Sequence, residues 1–336
     1  MSYNLNSNKM FFLFILFFST IISISSNSWF GCWIGLEINL LSFIPLMSNS
    51  LNLFASEASL KYFLTQSIAS INFLFFTIMK MILFKNFEMN MMMILINSSL
   101  LMKMGSAPFH FWFPIIVEGL SWMNCFILMT WQKITPMILL SYYYNNNFLY
   151  LIMIFNVIIG AMGGLNQLSL RKLLAFSSIN NMGWMLSALL ISENLWLFYL
   201  LIYSFLLLIM CMLFYMFNMS YLNQLFIFNM NYMIKFLFLI NFFSMGGLPP
   251  FLGFLPKWII INFLILNKFY FMTFIFIMMS LIMLFFYIRI MYSSILFNYM
   301  KLKWFKILIK NKMIYFNSMF CCISLLGIIF STFFFY

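Results

Sequence analysis

The sequence predicts an all-α polytopic membrane protein with about 11 transmembrane helices, arranged as two inverted five-helix repeats and a C-terminal helix. The first observation is the composition. Of 336 residues, 65% are hydrophobic and only 7% are charged, whereas soluble domains are about 45–50% apolar and roughly a quarter charged. The second is that the apolar runs reach the ~20 residues that a membrane-spanning helix needs. The third is that glycine and proline interrupt two of these runs at matching places.

Polar and turn-forming residues divide the apolar runs into eleven predicted spans. In chain order, these spans lie at 9–26, 28–48, 57–84, 90–120, 122–142, 148–165, 170–191, 194–217, 233–267, 269–292 and 313–335. The fourth and ninth spans are too long for one straight helix, because about 20 residues suffice to cross the hydrocarbon core.

Both over-long spans contain an interruption rich in glycine and proline. The fourth contains GSAP at 105–108, and the ninth contains GGLPP at 246–250. Proline removes a backbone donor and clashes with the preceding helical turn. We therefore expect each of these spans to consist of two half-helices around an unwound centre.

The two interruptions belong to an internal repeat. Residues 105–114 (GSAPFHFWFP) and 247–256 (GLPPFLGFLP) share the pattern G-x-x-P-F-x-x-x-x-P, 142 residues apart. Each copy lies in the fourth helix of a set of five, and five is odd, so the two sets must insert with opposite orientation. We predict a first repeat over 1–142, an inverted second repeat over 148–292, and a basic inner loop with a C-terminal helix over 293–336. Transporters built this way have their sites near the midplane at the breaks.

The basic residues place the N-terminus on the inner side of the membrane, because inner loops are enriched in lysine and arginine. With eleven spans, only Lys80, Lys85 and Lys268 fall on the outer side. The inner side collects Lys9, Lys61, Arg171, Lys172, Lys235, Arg289, Lys301, Lys303, Lys306, Lys310 and Lys312. We therefore interpret the formal charge of +12 as a topology signal and expect no nucleic-acid partner.

The choice of amino acids points to an organellar genome. Phenylalanine (48 residues) and methionine (33 residues) are in large excess, and the favoured residue types have A/T-rich codons. Lys9 precedes a full-length apolar helix, without a cleavage site or an Arg/Ser-rich transit segment, so we expect no import signal. The five cysteines form no C-x-x-C motif and have one histidine to join. A metal or iron–sulfur site is therefore not expected.

Four charged residues lie deep in the predicted spans. Glu37 is midway along the second span, Lys103 just precedes the first interruption, Lys133 is midway along the fifth span, and Lys257 just follows the second interruption. The one histidine, His110, lies at the first interruption. A charge at the centre of a span costs roughly 2.5–3.5 kcal/mol on insertion scales. These side chains should therefore face one another or a hydrated interior.

Two interpretations compete for each buried charge, a structural one and a functional one. A structural charge forms a helix-packing ion pair or extends its head to the membrane surface. That interpretation is favoured near the span ends, for Lys61, Lys80 and Lys235. The functional interpretation is favoured for Glu37 and Lys133 in mid-span, and for Lys103 and Lys257 beside unwound backbone. His110 suits either proton relay or hydrogen bonding to the carbonyls that the break frees.

Proton transfer is the chemistry that unites these residues. Burial disfavours the charged form of a lysine, and a nearby carboxylate favours it again. A row of lysines and a histidine with one glutamate is thus a chain of coupled protonation switches. A metal-cation site would need clustered carboxylates and carbonyl oxygens, and one buried glutamate is too few. We expect the carboxylate of Glu37 to lie within direct or one-water reach of a lysine, most plausibly Lys103.

Six stretches, in order, resemble the subunit 2 family of mitochondrial NADH:ubiquinone oxidoreductase (respiratory complex I), in its insect-like form. The resemblance covers nearly the whole chain and weakens from about residue 293. The stretches are SNSWFGCWIGLEINLLSFIPLM around Glu37, EASLKYFLTQSIAS (57–70), KMGSAPFHFWFP (103–114), MTWQKITP (129–136), GGLNQLSLRKLLAFSSINNMGWM (163–185) and SMGGLPPFLGFLPKW (244–258).

The resemblance implies an antiporter-like, proton-translocating membrane subunit, related to Mrp-type cation/proton antiporters. It implies eleven helices, a location in the mitochondrial inner membrane, an N-terminus in the matrix and a C-terminus in the intermembrane space. NAD, FMN, iron–sulfur clusters and ubiquinone would be bound by partner subunits, and this chain would bind no cofactor. Its partners would be other membrane-arm subunits, accessory subunits and phospholipids such as cardiolipin. The family's proton-relay residues fall on Glu37, Lys103, His110, Lys133 and Lys257.

One departure from the family pattern bears on that relay. Relatives usually carry a histidine where the stretch SSINNMGW has Asn181, and an amide cannot bind and release a proton near neutral pH. Two other interpretations therefore stay open. One is a structural or coupling subunit of the same complex that conducts no protons. The other is a self-contained Mrp-like antiporter, against which the organellar composition and the shortage of acidic ion ligands argue.

Overall fold

A computed structural model describes residues 7–49, 52–82, 86–227, 232–296 and 311–325 of the chain. Within these ranges the chain is almost entirely α-helical, and the strand pairing found is one isolated bridge between Ser169 and Tyr221. Seven of the described helices are long and apolar enough to cross a membrane, and two shorter apolar helices flank the second predicted break. The chain forms two compact units, Met1–Ile152 and Met153–Tyr336.

The first unit is built from seven helices and the beginning of an eighth. These are α1 (Ser7–Ser25), α2 (Trp29–Met47), α3 (Leu53–Ile82), α4 (Asn86–Met104), α5 (Trp112–Gly119), α6 (Trp122–Met129), α7 (Trp131–Tyr142) and the start of α8 (Asn146–Gly164). The helix α2 begins at a serine cap, where the Ser28 side chain accepts from the Gly31 N–H, as N-caps do.

The second unit contains the rest of α8 and seven further helices. These are α9 (Leu170–Ile191), α10 (Glu193–Met216), α11 (Leu222–Ile227), α12 (Tyr232–Gly246), α13 (Phe254–Leu266), α14 (Tyr270–Leu296) and α15 (Asn311–Leu325). The helix α9 lies at the centre of this unit, since most of its residues are buried. Glycine lets α8 approach it closely, because a Cβ on Gly160 would lie 2.5 Å from the backbone nitrogen of Asn180.

Both predicted helix breaks are present. The fourth predicted span consists of α4 and α5, separated at residues 105–111, and the ninth consists of α12 and α13, separated at residues 247–253. Each break starts within the predicted interruption and continues a few residues beyond it. The division into inverted repeats and the count of eleven spans stay predictions.

The fifth predicted span, 122–142, differs from the expected single helix. It divides at Thr130 into α6 and α7. The Thr130 hydroxyl donates to the Phe126 carbonyl at 2.7 Å, and such bonds to the carbonyl four residues back bend helices. The structure also contains the short helix α11 (Leu222–Ile227), which lies between the predicted spans 194–217 and 233–267. The predicted basic loop falls largely outside the described residues, with Lys301, Lys303, Lys306 and Lys310, as does the end of the last span, 326–335.

Candidate functional site

The first break begins where Gly105 ends α4. Gly105 has a φ of +69°, a conformation that only glycine adopts without strain. Its N–H bonds to the Met102 carbonyl at 3.2 Å, and the Ser106 N–H bonds to the Leu101 carbonyl at 3.1 Å. This pair of bonds is the Schellman motif, which terminates helices.

Side chains satisfy the carbonyls that the first break frees. The Gln66 amide, on α3, donates to the Lys103 carbonyl at 3.0 Å. The Trp112 indole N–H, on α5, donates to the Met102 carbonyl at 3.2 Å. Because hydrocarbon offers no hydrogen bonds, unwound backbone is tolerated in a membrane only where such partners exist.

Lys103 lies in a polar cavity next to this break. Its side chain is buried, with 7% exposed, and it lines a cavity of about 20 Å³, which has room for about one water molecule. The polar residues that share this lining are Asn39, Tyr62, Gln66, Gln132 and Thr135. The Gln132 amide donates to the Asn39 side-chain oxygen at 2.8 Å. Four elements of the first unit, α2, α3, α4 and α7, thus meet around a lysine with space for water beside it.

Lys133 lies in the first turn of α7 and is 2% exposed. Its ammonium is 5.5 Å from the centroid of the Phe113 ring, within the range of a cation–π contact. Phe113 in turn packs on the break, because a Cβ on Gly105 would lie 2.9 Å from its side chain. The aromatic ring therefore links the fifth-span lysine to the broken fourth span.

Glu37 interacts electrostatically with Lys103. Among the described residues the ion pair found within 4 Å is Lys61–Glu57. Glu37 therefore makes no direct ion pair with Lys103, and the expected contact through one water molecule stays a prediction. His110 is 8% exposed, and its Nδ1 lies 3.2 Å from the Pro108 carbonyl. A carbonyl only accepts, so this bond requires a proton on Nδ1. The contact fits the hydrogen-bonding interpretation of His110, and its relay role stays a prediction.

The second break begins with the same motif as the first. Gly247 has a φ of +82°. Its N–H bonds to the Ser244 carbonyl at 3.2 Å, and the Leu248 N–H bonds to the Phe243 carbonyl at 3.2 Å. Both breaks therefore use a left-handed glycine to end their first half-helix.

Lys257 reaches back across the second break. Its ammonium donates to the Gly246 carbonyl at 3.0 Å and lies 5.8 Å from the centroid of the Trp184 ring. A second cavity of about 20 Å³ lies beside it. The polar residues lining this cavity are Asn181, Tyr199, Tyr203, Ser244 and Lys257. Asn181, the residue that departs from the family pattern, accepts a hydrogen bond from the buried Tyr199 hydroxyl at 3.1 Å.

Of the lysines near the predicted span ends, Lys61 and Lys80 differ from these three, whereas Lys235 shares their burial. Lys61 is exposed and pairs with Glu57 at 2.5 Å, four residues back on the same helix. The Lys80 ammonium lies 3.4 Å from the centroid of the Tyr143 ring. Lys235 is buried. The structural interpretation of Lys61 and Lys80 is supported by these contacts.

Known proteins resemble the chain over most of its length. A protein of Anopheles gambiae named NADH-ubiquinone oxidoreductase chain 2 is 53% identical over 276 residues, which is 80% of each chain. A protein of the same name from Locusta migratoria is 48% identical over 271 residues, or 78% of each chain. The chain belongs to the NADH-ubiquinone oxidoreductase chain 2 family. The broader family described as NADH:quinone oxidoreductase/Mrp antiporter, TM, matches residues 26–283.

Solved structures of other proteins share the fold of this chain. A chain of respiratory complex I from Thermus thermophilus with bound aureothin has a TM-score of 0.83 at 20% identity, over 95% of this chain and 78% of that one. A chain of the Mrp complex from Dietzia sp. DQ12-45-1b has a TM-score of 0.74 at 15% identity, over 83% of this chain and 59% of that one. These likenesses establish an antiporter-like membrane fold.

Several neutral residues, which the pattern of buried charges did not indicate, also line the two sites. Gln66, Asn39 and Gln132 lie in the first unit, and Tyr199 and Tyr203 in the second. Isolated amides inside apolar runs were a usable signal for the first three, because a buried polar group needs a partner. The two tyrosines gave no signal in a chain with 17 tyrosines.

Proposed function

We propose that the chain is a membrane subunit of respiratory complex I that translocates protons across the mitochondrial inner membrane, driven by NADH-to-ubiquinone electron transfer in partner subunits. Membership of the NADH-ubiquinone oxidoreductase chain 2 family and the antiporter-like fold support the proposal. The chain's own contribution is the proton path, and the redox chemistry belongs to its partners.

One observation carries the proposal. Each unit holds a buried lysine beside a helix break and a cavity of water size: Lys103 in the first unit and Lys257 in the second. A lysine needs water or another donor–acceptor group to exchange its proton, and each cavity offers room for about one water molecule. Polar side chains that hold water there complete a site where a proton is bound and released.

The finer parts of the proposal rest on the sequence. The N-terminus lies in the matrix and the C-terminus in the intermembrane space, as the excess of inner basic residues indicates. NAD, FMN, iron–sulfur clusters and ubiquinone are bound by other subunits. Neighbouring membrane-arm subunits, accessory subunits and phospholipids such as cardiolipin surround the chain. Glu37 acts on Lys103 as an electrostatic switch, and Lys133 is a further residue of the proton relay.

Replacing Lys133 by methionine tests the relay. Methionine keeps a similar length and an apolar stem while removing the proton site. We expect the complex to assemble normally, proton pumping per NADH to fall, and quinone-coupled turnover to fall by roughly tenfold or more, as for loss of a proton-transfer group. The measurements are NADH oxidation and proton uptake by proteoliposomes that contain the assembled complex.

Lys61→Met is the matched control, since Lys61 is exposed and paired within its own helix. It should leave pumping unchanged. Normal assembly of Lys133→Met with unchanged pumping per NADH would refute the relay and favour a structural or coupling subunit. Removal of a buried charge is then neutral or stabilising.

A further inference from the structure

The C-terminal helix α15 contacts the second break directly. The backbone N–H of Leu252, inside the break, donates to the Ser324 carbonyl of α15 at 3.0 Å. Ser324 is fully buried, and its hydroxyl donates to the Cys321 carbonyl of its own helix. The sequence predicted no function for the region from residue 293 onward. This hydrogen bond shows that α15 is part of the surroundings of the second break.

The bond from Leu252 matters because the break exposes backbone groups that a helix would satisfy. Other N–H groups of this segment find acceptors nearby: Gly247 and Leu248 bond to carbonyls of α12, and Phe251 bonds to Leu248. Leu252 instead uses another helix. An unpaired backbone donor in the membrane costs several kcal/mol, so α15 stabilises this conformation of the break.

A second contact joins α15 to the half-helix that precedes the break. The Asn241 side-chain amide of α12 donates to the Cys321 thiol sulfur at 3.1 Å. Both residues are 1% exposed. One helical turn later along each helix come Ser244, whose carbonyl borders the break, and Ser324. The hydrogen bond between Asn241 and Cys321 therefore holds α15 against α12 in the position where the Ser324 carbonyl accepts from the Leu252 N–H.

The break is confined on its other side by α12. A Cβ on Gly253 would overlap the Ser244 carbonyl. The backbone at Gly253 is therefore in close contact with the backbone of α12. The helix α13 begins at the next residue, Phe254, and Lys257 lies in its first turn. The position of residues 247–253 thus sets how far the Lys257 ammonium lies from the Gly246 carbonyl.

We propose that α15 braces the second helix break, with Cys321 and Asn241 acting as positioning residues for Lys257. The brace consists of the Leu252–Ser324 and Asn241–Cys321 hydrogen bonds. Its effect on proton transfer rests on the proposed function of Lys257, whereas its effect on the break does not.

Four variants of the assembled complex test the brace. Cys321→Ala removes the acceptor of Asn241, Asn241→Leu removes the donor, and Cys321→Ser restores a small acceptor. Cys322→Ala is the matched control, because the neighbouring Cys322 is exposed. Hydrogen–deuterium exchange of residues 247–253 reports opening of the break, and proton pumping per NADH reports the position of Lys257.

We expect exchange at 247–253 to accelerate roughly two- to tenfold in Cys321→Ala and Asn241→Leu, as for loss of one hydrogen bond. Pumping per NADH should fall in both, and Cys321→Ser and Cys322→Ala should match the wild type. Equal exchange in Cys321→Ala and Cys322→Ala would overturn the brace. Faster exchange with unchanged pumping would overturn the positioning role. Lys257→Met separates the two ideas, since unchanged pumping in that variant contradicts the function of Lys257 and leaves the exchange result intact.

Discussion

Lys103 precedes its helix break and Lys257 follows its break, and yet both lie next to the C-terminal end of a first half-helix. Lys103 is the penultimate residue of α4, whereas Lys257 lies in the first turn of α13 and reaches back to Gly246, the last residue of α12. The Lys257 ammonium therefore lies at the C-terminal end of α12, and Lys103 lies in the last turn of α4. The negative end of the helix dipole favours a cation there, which lowers the cost of burying each charge.

At the residue scale, the hydrogen bond between Tyr199 and Asn181 should show strong coupling. Asn181→Leu leaves the buried Tyr199 hydroxyl without this acceptor, so we expect a loss of about 1–3 kcal/mol, and Tyr199→Phe should cost about 0.5–1.5 kcal/mol. The double variant should cost less than the sum of the two. The thermal dissociation midpoint of the purified complex measures each effect, and simple additivity would mean that the bond contributes nothing.

At the scale of elements, each break leaves backbone groups without helical hydrogen bonds, and different partners bond these groups at the two breaks. The freed carbonyls of the first break are bonded by the side chains of Gln66 and Trp112. At the second break the Lys257 ammonium donates to the Gly246 carbonyl, and the Ser324 carbonyl of α15 accepts from the Leu252 N–H. The helix ends themselves are alike, because both depend on a glycine with positive φ.

Adjacent glycines at the second break should respond differently to alanine. Gly247→Ala puts a Cβ at positive φ and 3.0 Å from the Lys257 ammonium, and a left-handed residue other than glycine costs roughly 1–2 kcal/mol. Gly246 is helical with its nearest side-chain atoms 3.6 Å away. Gly246→Ala should therefore be neutral or stabilising. Thermal dissociation and pumping per NADH measure the pair, and equal behaviour would contradict the need for glycine at 247.

Loss of the Gln66 amide should weaken the first break. Gln66→Leu leaves the Lys103 carbonyl without its bond from α3, so we expect a loss of about 1–3 kcal/mol, the usual cost of an unsatisfied buried group. Ser67→Ala is the control, because the exposed Ser67 hydroxyl bonds only within α3. A thermal dissociation midpoint of Gln66→Leu equal to that of Ser67→Ala would show that the break does not depend on this amide.

At the scale of the whole molecule, the chain should be found in a large assembly. After extraction in mild detergent, we expect it to co-migrate with NADH-oxidising activity on a native gel, because its proposed proton path is driven by partner subunits. A chain that migrates as a stable monomer or small homo-oligomer, with cation/proton exchange of its own, would instead indicate a self-contained antiporter.

The membrane class, the two broken helices and the burial of Lys103, Lys133 and Lys257 follow from the amino-acid sequence alone. Each of these depends on local properties: the length of an apolar run, the lost donor of a proline and the cost of a charge in hydrocarbon. No partner chain or distant residue is needed to infer them. The interruptions at 105–108 and 246–250 are therefore recognisable from the order of residues within a single span.

Long-range packing, in contrast, determines what each lysine meets. Gln66 bonds a carbonyl 37 residues away, and Asn241 bonds a thiol 80 residues away, so no local pattern predicts either contact. The division at Thr130 was missed because no glycine or proline marks that position in the sequence. Glu37 makes no direct ion pair with Lys103, because packing as well as charge fixes how closely their side chains approach.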